Sequence, residues 1–332
     1  MERVIIGVDV GGTKCDMVLV DKSTGCVLNR VVCRRQDLPE SLRMSENYGG
    51  IGRTKAMFDF TIQRLLAGRT PKEAFIITNS SVQSAVQYLT DSGIECPGSM
   101  LVMETQGAIW AEGYEKGIAI VSGTGVTGSA FFKDGSHFQF DAIGPLCGDW
   151  GGAYTIGREF LRRTFRVQNF SNATISETKA ILDHYKATSG VESPNGSYFP
   201  IVSFLLTHTD RSLVSALAKV CDDCAQNGSA LAAGTLKDAG ADLAESVRLA
   251  AEHCNMAKMP GLPVIAAGSV LANSDLVFDS MRSHLSTTLP DAMLIRSKNP
   301  QVRGQILGAL KKLNTPEQAA AKASAFLKSL EG

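Results

Sequence analysis

A glycine turn held between two short apolar runs occurs twice in this 332-residue chain, and that repetition constrains the fold more than any other feature. Apolar runs at 2–10 and 15–20 are joined by Gly11-Gly12-Thr13-Lys14, and a third run follows Gly25 at 26–33. The second set opens with Gly117-Ile-Ala-Ile-Val121, meets Ser122-Gly-Thr-Gly125, and continues at 128–133 and 136–141 around Asp134-Gly135. Short apolar runs punctuated by glycine read as antiparallel meanders. Two of them imply two like-built α/β domains facing each other across a cleft.

The remaining periodicity fills in both domains. An amphipathic helical pattern spans 51–67, a strand covers 74–77 after Pro71, 80–91 reads as helix and 99–103 as strand. From about 150 to 258 the pattern is almost entirely helical, with a polar break at 189–198. A strand at 263–267, a helix at 274–285, a strand at 291–296 and a helix at 301–312 close the second domain. The tail 315–330 starts Thr-Pro-Glu-Gln, a good helix opening. The expected division is therefore 1–115 with 313–332, and 116–312.

Charge excludes some partners. Lys plus Arg and Asp plus Glu both number 33, so no basic excess argues for nucleic acid or an anionic membrane surface. No run approaches the ~18 apolar residues of a spanning helix. The opening Met-Glu-Arg-Val-Ile-Ile-Gly reads as a first strand rather than a signal peptide, so a cytoplasmic protein is expected. The eight cysteines are scattered, which fits reduced thiols, and Cys221-Asp-Asp-Cys224 has no second pair to complete a zinc site.

Asp9-Val-Gly-Gly-Thr-Lys14 follows a strand directly. Gly11 and Gly12 let backbone approach an anion, Thr13 and Lys14 supply donors to phosphate oxygens, and Asp9 at the strand end suits Mg²⁺. The same residues also fit a plain hairpin. Gly123, Thr124 and Gly125 offer small side chains and amides for a second phosphate contact, and Gly268-Ser269-Val270, after a buried strand, fits a turn beneath an adenosine. Asp149 suits an N-cap as well as a ligand, and Glu104 suits a helix start as well as chemistry.

These three turns together resemble the actin–Hsp70–sugar kinase superfold. Within it, Gly144-Pro-Leu-Cys-Gly-Asp-Trp-Gly-Gly-Ala-Tyr-Thr-Ile-Gly-Arg158 closely resembles the GPLLGDEGSGYWIGR-like stretch of N-acetylglucosamine kinases in the BadF/BadG/BcrA/BcrD ATPase group. The resemblance runs from residue 7 to about 312. It implies two ribonuclease H-like domains with mixed five-stranded sheets flanked by helices, and an active site in the interdomain cleft. It further implies ATP and Mg²⁺ as cofactors, a small sugar as substrate and a homodimer as assembly, with the helical region 155–258 available as interface.

Residue by residue, Glu104-Thr-Gln-Gly-Ala108 falls on the family's Asp-Ala-Ala-Gly-Ser-like segment, which puts Glu104 at the catalytic base. Glutamate replaces aspartate there, adding about 1.5 Å of reach. Asn47 matches the family's sugar-binding asparagine, Thr124 and Thr127 lie where the second phosphate loop touches sugar, and Asp149 falls on an aspartate that binds sugar hydroxyls. Trp150 stands where a glutamate is usual and could stack on a sugar face or fill a wall. The implied activity is phosphorylation of N-acetylglucosamine or a related amino sugar at its 6-hydroxyl. Two alternatives remain open: an ATP-driven activase of a dehydratase or reductase, built around cysteine-bound iron–sulfur, and a binding homologue without catalysis.

Overall fold

The computed structural model of the chain describes residues 2–11, 14–43, 51–208 and 210–331. The chain divides into two compact units, Met1–Glu115 with Asn299–Gly332, and Lys116–Lys298. Each unit carries one mixed five-stranded sheet among the described residues.

In the first unit the strands are β1 (Arg3–Val10), β2 (Lys14–Asp21), β3 (Val27–Arg34), β4 (Glu73–Thr78) and β5 (Glu95–Leu101), in the spatial order β3-β2-β1-β4-β5. The meander β1-β2-β3 is antiparallel, and β4 and β5 add to it in parallel. Strand β1 is apolar without alternation because both of its faces are covered. Val4, Ile6 and Val8 pack with Met57, Ile62 and Leu65 of the Ile51–Leu66 helix. Ile5 lies in a separate core with Val302, Ile306 and Ala309.

Those last residues belong to the Gln301–Leu313 helix, which the sequence pattern had assigned to the second domain. It packs instead with the first unit. A Cβ on Gly304 would stand 1.9 Å from the Gly107 carbonyl oxygen, so this helix and the Glu104–Ala111 helix meet backbone to backbone. An amphipathic stripe shows that a helix has an apolar face, but not which sheet receives it.

The second unit repeats the plan with β6 (Gly117–Ser122), β7 (Val126–Phe131), β8 (His137–Asp141), β9 (Leu262–Ala267) and β10 (Ala292–Arg296), in the order β10-β9-β6-β7-β8. Again a meander is antiparallel and the later strands join in parallel. Helices between 153 and 253 bury their apolar faces on it. Leu236, Leu243 and Val247 of the 24-residue Ala230–His253 helix share one core with Ile118 and Ile120.

Candidate active site

In the first unit, chemistry gathers at the end of β1 where the meander turns. Asp9 is buried, and its Oδ1 accepts a hydrogen bond of 2.8 Å from Asn79 Nδ2. The same Asn79 accepts from the Val10 amide through Oδ1, also at 2.8 Å, so one side chain just past β4 locks the strand end. Across the ladder Asp9 pairs in register with Asp16, a second buried acid. Asp16 is neutralised by Arg30 on β3, whose Nε and a terminal nitrogen reach its two oxygens at 3.1 and 2.8 Å. The Gly11 amide donates to the Lys14 carbonyl at 2.8 Å, so it closes the turn rather than pointing outward. Gly12, Thr13 and Asn47 lie outside the described residues.

Glu104 opens the Glu104–Ala111 helix, whose N-cap, Met103, offers no side-chain bond. Its charge therefore also suits the helix dipole. Burial first and the nearby Asp9 charge second, with Lys14 opposing, push the Glu104 carboxyl up to about 7. Asp9 is pushed up to about 6 by burial, against Lys14 and Asn79 and with help from Asp16. Two desolvated carboxylates sharing one lysine disfavour double ionisation. Residues 9, 14 and 104 thus form one electrostatic unit, although more than ninety positions separate the first from the last.

Asp9 and Glu104 are hard oxygen donors in mutual repulsion, which is the setting a divalent cation relieves. No group of three or more His, Cys, Asp or Glu side chains able to hold a metal occurs among the described residues. That sparse protein donor set fits Mg²⁺, which keeps several waters and binds through one or two carboxylates plus substrate phosphates.

In the second unit the glycine turn is built into a loop by hydrogen bonds. The Gly123 amide closes the turn on the Gly125 carbonyl at 2.9 Å, while Ala153 and Tyr154 amides donate to the Gly123 and Thr124 carbonyls at 2.8 and 3.0 Å. Ser122 Oγ donates to the Gly151 carbonyl at 2.9 Å. Of the two roles the sequence left open for Asp149, the N-cap falls to Gly152, and Asp149 sits at φ +58°. Its buried carboxylate accepts from the Val126 amide at 2.9 Å and packs over Gly125, where an added Cβ would lie 2.7 Å from Oδ1.

Gly268 follows β9 at φ +92° and caps the short Ser269–Asn273 helix. A Cβ there would stand 2.2 Å from the Ser122 carbonyl oxygen, so the 268–269 turn abuts the 122–125 turn and only glycine fits. Trp150 is half exposed, at 48 %. Thr127 lies on β7 opposite Asp141.

Sequence reasoning passed over Asn79 and Asp16, and gave Asp141 no role. The first two carried a legible signal, being polar residues in or just beyond apolar strand runs. Asp141 and Ala142 both adopt positive φ, at +56° and +62°, and Asp141 Oδ2 is buried without a hydrogen-bond partner. Burial pushes the Asp141 carboxyl up, with Ser246 opposing and Asp149 adding to the shift. The cysteines are all free. Burial raises the Cys221 and Cys224 thiols, which lowers their thiolate fraction.

The comparisons agree with this architecture. The model of the BadF/BadG/BcrA/BcrD ATPase family matches residues 6–310, and the chain belongs to that family. An N-acetyl-D-glucosamine kinase of Dictyostelium discoideum is 23 % identical over 332 aligned residues, covering 93 % of this chain and 98 % of the relative. An N-acetylmuramic acid/N-acetylglucosamine kinase of Clostridium acetobutylicum is 26 % identical over 213 residues, covering 63 % and 67 %. Among solved structures, a proposed N-acetylglucosamine kinase of Chromobacterium violaceum superposes with a TM-score of 0.67 at 20 % identity, covering 92 % of this chain and 98 % of its own, a likeness of fold. No helix among the described residues is long and apolar enough to cross a membrane.

Proposed function

We propose that the protein is an ATP-dependent sugar kinase whose acceptor is N-acetylglucosamine or a related amino sugar, phosphorylated at the 6-hydroxyl. The observation that carries the reading is the Asp9–Lys14–Glu104 unit, a buried carboxyl poised near neutral pH beside a cation and a second acid. Family membership supplies the nucleotide, and the two amino-sugar kinase relatives supply the acceptor class.

Glu104 is the general base. Its carboxylate accepts the hydroxyl proton as the sugar oxygen bonds to the γ-phosphorus and the bond to ADP breaks. A base with its pKa near 7 is half ionised at neutral pH, which suits proton transfer to and from an alcohol. Lys14, Gly12 and Thr13 are assigned to phosphate oxygens, with the Gly11 amide bonded within the turn and Asp9 as the Mg²⁺ ligand. When bound, the metal neutralises charge on the transferring phosphoryl group. Gly123, Thr124 and Gly125 take phosphate, and Gly268 with Ser269 takes the adenosine. Thr127, Asp149, Trp150 and Asn47 are assigned to the sugar.

The test is ADP release in a coupled assay over N-acetylglucosamine, glucosamine, N-acetylmuramate and glucose. Sugar-dependent ADP formation, greatest for an amino sugar, is expected. Sugar binding without ADP formation would leave a binding protein in place of an enzyme.

A further inference from the structure

A second polar site lies in the first unit, far from Asp9. A groove of about 620 Å³ is walled by the start of β1, the β2–β3 turn and the first half of the Pro316–Glu331 helix. Its cations are Arg3, Lys22 and Lys322, and its neutral polar groups are Ser23, Thr24, Asn314 and Gln318. Arg3 and Asp9 are six residues apart on β1, which at ~3.3 Å per strand residue separates the two sites by about 20 Å.

Hydrogen bonds tie the groove's walls together, and three cations line it. Asp21 Oδ1 accepts from the Ser23 and Thr24 amides, each at 2.8 Å, which fixes the turn. Gly25, at φ +82°, lets that turn touch the helix, since a Cβ there would lie 2.5 Å from the Lys322 carbonyl oxygen. Lys322 Nζ donates to the Lys22 carbonyl at 2.8 Å and to Asn314 Oδ1 at 2.6 Å. Two of its three donors are therefore engaged by neutral acceptors, and one is left for a ligand. Lys22 pairs with Glu73 at 2.5 Å, and Arg3 feels the same carboxylate. Among the described residues the groove's lining has three cations and no carboxylate, with Glu73 beside it on Lys22 and Asp21 beside it on Ser23 and Thr24.

We propose that this groove binds a phosphorylated, hydroxyl-bearing small molecule of the sugar phosphate class. The guanidinium of Arg3 and the tethered ammonium of Lys322 suit a phosphate dianion. The Ser23 and Thr24 hydroxyls donate to Asp21 Oδ1 at 2.5 and 3.1 Å and keep oxygen lone pairs for ring hydroxyls. The Asn314 amide donates to the Leu310 carbonyl, the Gln318 amide accepts from the Thr315 amide, and each keeps further donor capacity. A volume of this size matches a small-metabolite site. The proposal stands apart from the kinase reading, because the site shares no residue with it.

Amide chemical shifts of Ser23, Thr24, Gln318 and Ala321, followed by NMR in the full chain, test it. N-acetylglucosamine 6-phosphate, inorganic phosphate and N-acetylglucosamine serve as probes. The sugar phosphate should shift these amides saturably, inorganic phosphate should bind at least about tenfold more weakly, and the neutral sugar should leave them unmoved. Lys322→Met and Arg3→Gln should each weaken binding about tenfold, the loss of one charge-assisted hydrogen bond. Arg3 is exposed, so its variant keeps the test open even where Lys322→Met fails to fold. Unmoved amides at saturating sugar phosphate, equal affinity for inorganic phosphate, or unchanged affinity in both variants would overturn the proposal.

Discussion

The two glycine turns open sheets of the same topology, yet they are loaded differently. The turn after β1 is surrounded by titratable groups: Asp9, Lys14 and Glu104 respond to one another, and Asp16 waits behind with its own arginine. The turn after β6 is surrounded by backbone: amides and carbonyls of 122–126 are tied to 149–154, and its acid, Asp149, is turned onto an amide. Two sheets of like order thus surround their glycine turns with different groups. One copy carries charge that can change state, and the other carries a fixed scaffold of small residues.

The largest effect that separates the two copies is on turnover. Glu104→Gln removes the proposed base while keeping shape, and should lower kcat at least about 100-fold with ATP binding retained. Asp149→Asn keeps an acceptor for the Val126 amide and should leave far more activity. Equal losses in a coupled ADP assay would erase the distinction.

Next come the scaffold positions. Gly268→Ala forces a Cβ onto the Ser122 carbonyl at positive φ, and Gly304→Ala forces one onto Gly107. Each should cost roughly 1–3 kcal/mol or more, as overpacking does, read as a fall in thermal midpoint. Gly268→Ala should also weaken nucleotide binding, whereas Gly304→Ala should act on stability first.

A smaller, pH-dependent effect sharpens the charged copy. The raised Glu104 pKa means that the folded state holds its proton more tightly than the unfolded chain. Stability is therefore unpenalised below about pH 4.5 and falls as pH rises towards about 7. Chemical denaturation should show Glu104→Gln gaining on the wild type across that window, by roughly 3 kcal/mol at pH 8. A constant difference between the two proteins from pH 4 to pH 8 would contradict the assigned burial.

How far the sequence spoke depended on whether the information was local. Both meanders were legible because apolar runs and glycine turns are written in consecutive residues. Glu104 could be placed on a helix start, but its coupling to Asp9 and Lys14 depends on β5 returning beside β4, which in turn pairs with β1. The Gln301–Leu313 helix was misassigned because chain order suggested the nearer sheet. Gly304 was the available clue, a glycine inside a good helix pattern that marks close backbone contact. Asp149 suited an N-cap as well as a ligand because an acid precedes a helix, and a left-handed backbone places its carboxylate on the Val126 amide rather than at the cap.

The charged character of the first copy is tested most directly by titrating the Glu104 carboxyl itself, by carbon-detected NMR of the free protein and of Asp9→Asn. A step near pH 7 in the wild type, moving to lower pH once the Asp9 charge is gone, is the predicted result. A Glu104 midpoint in the ordinary range near 4.3, unmoved by Asp9→Asn, would contradict it.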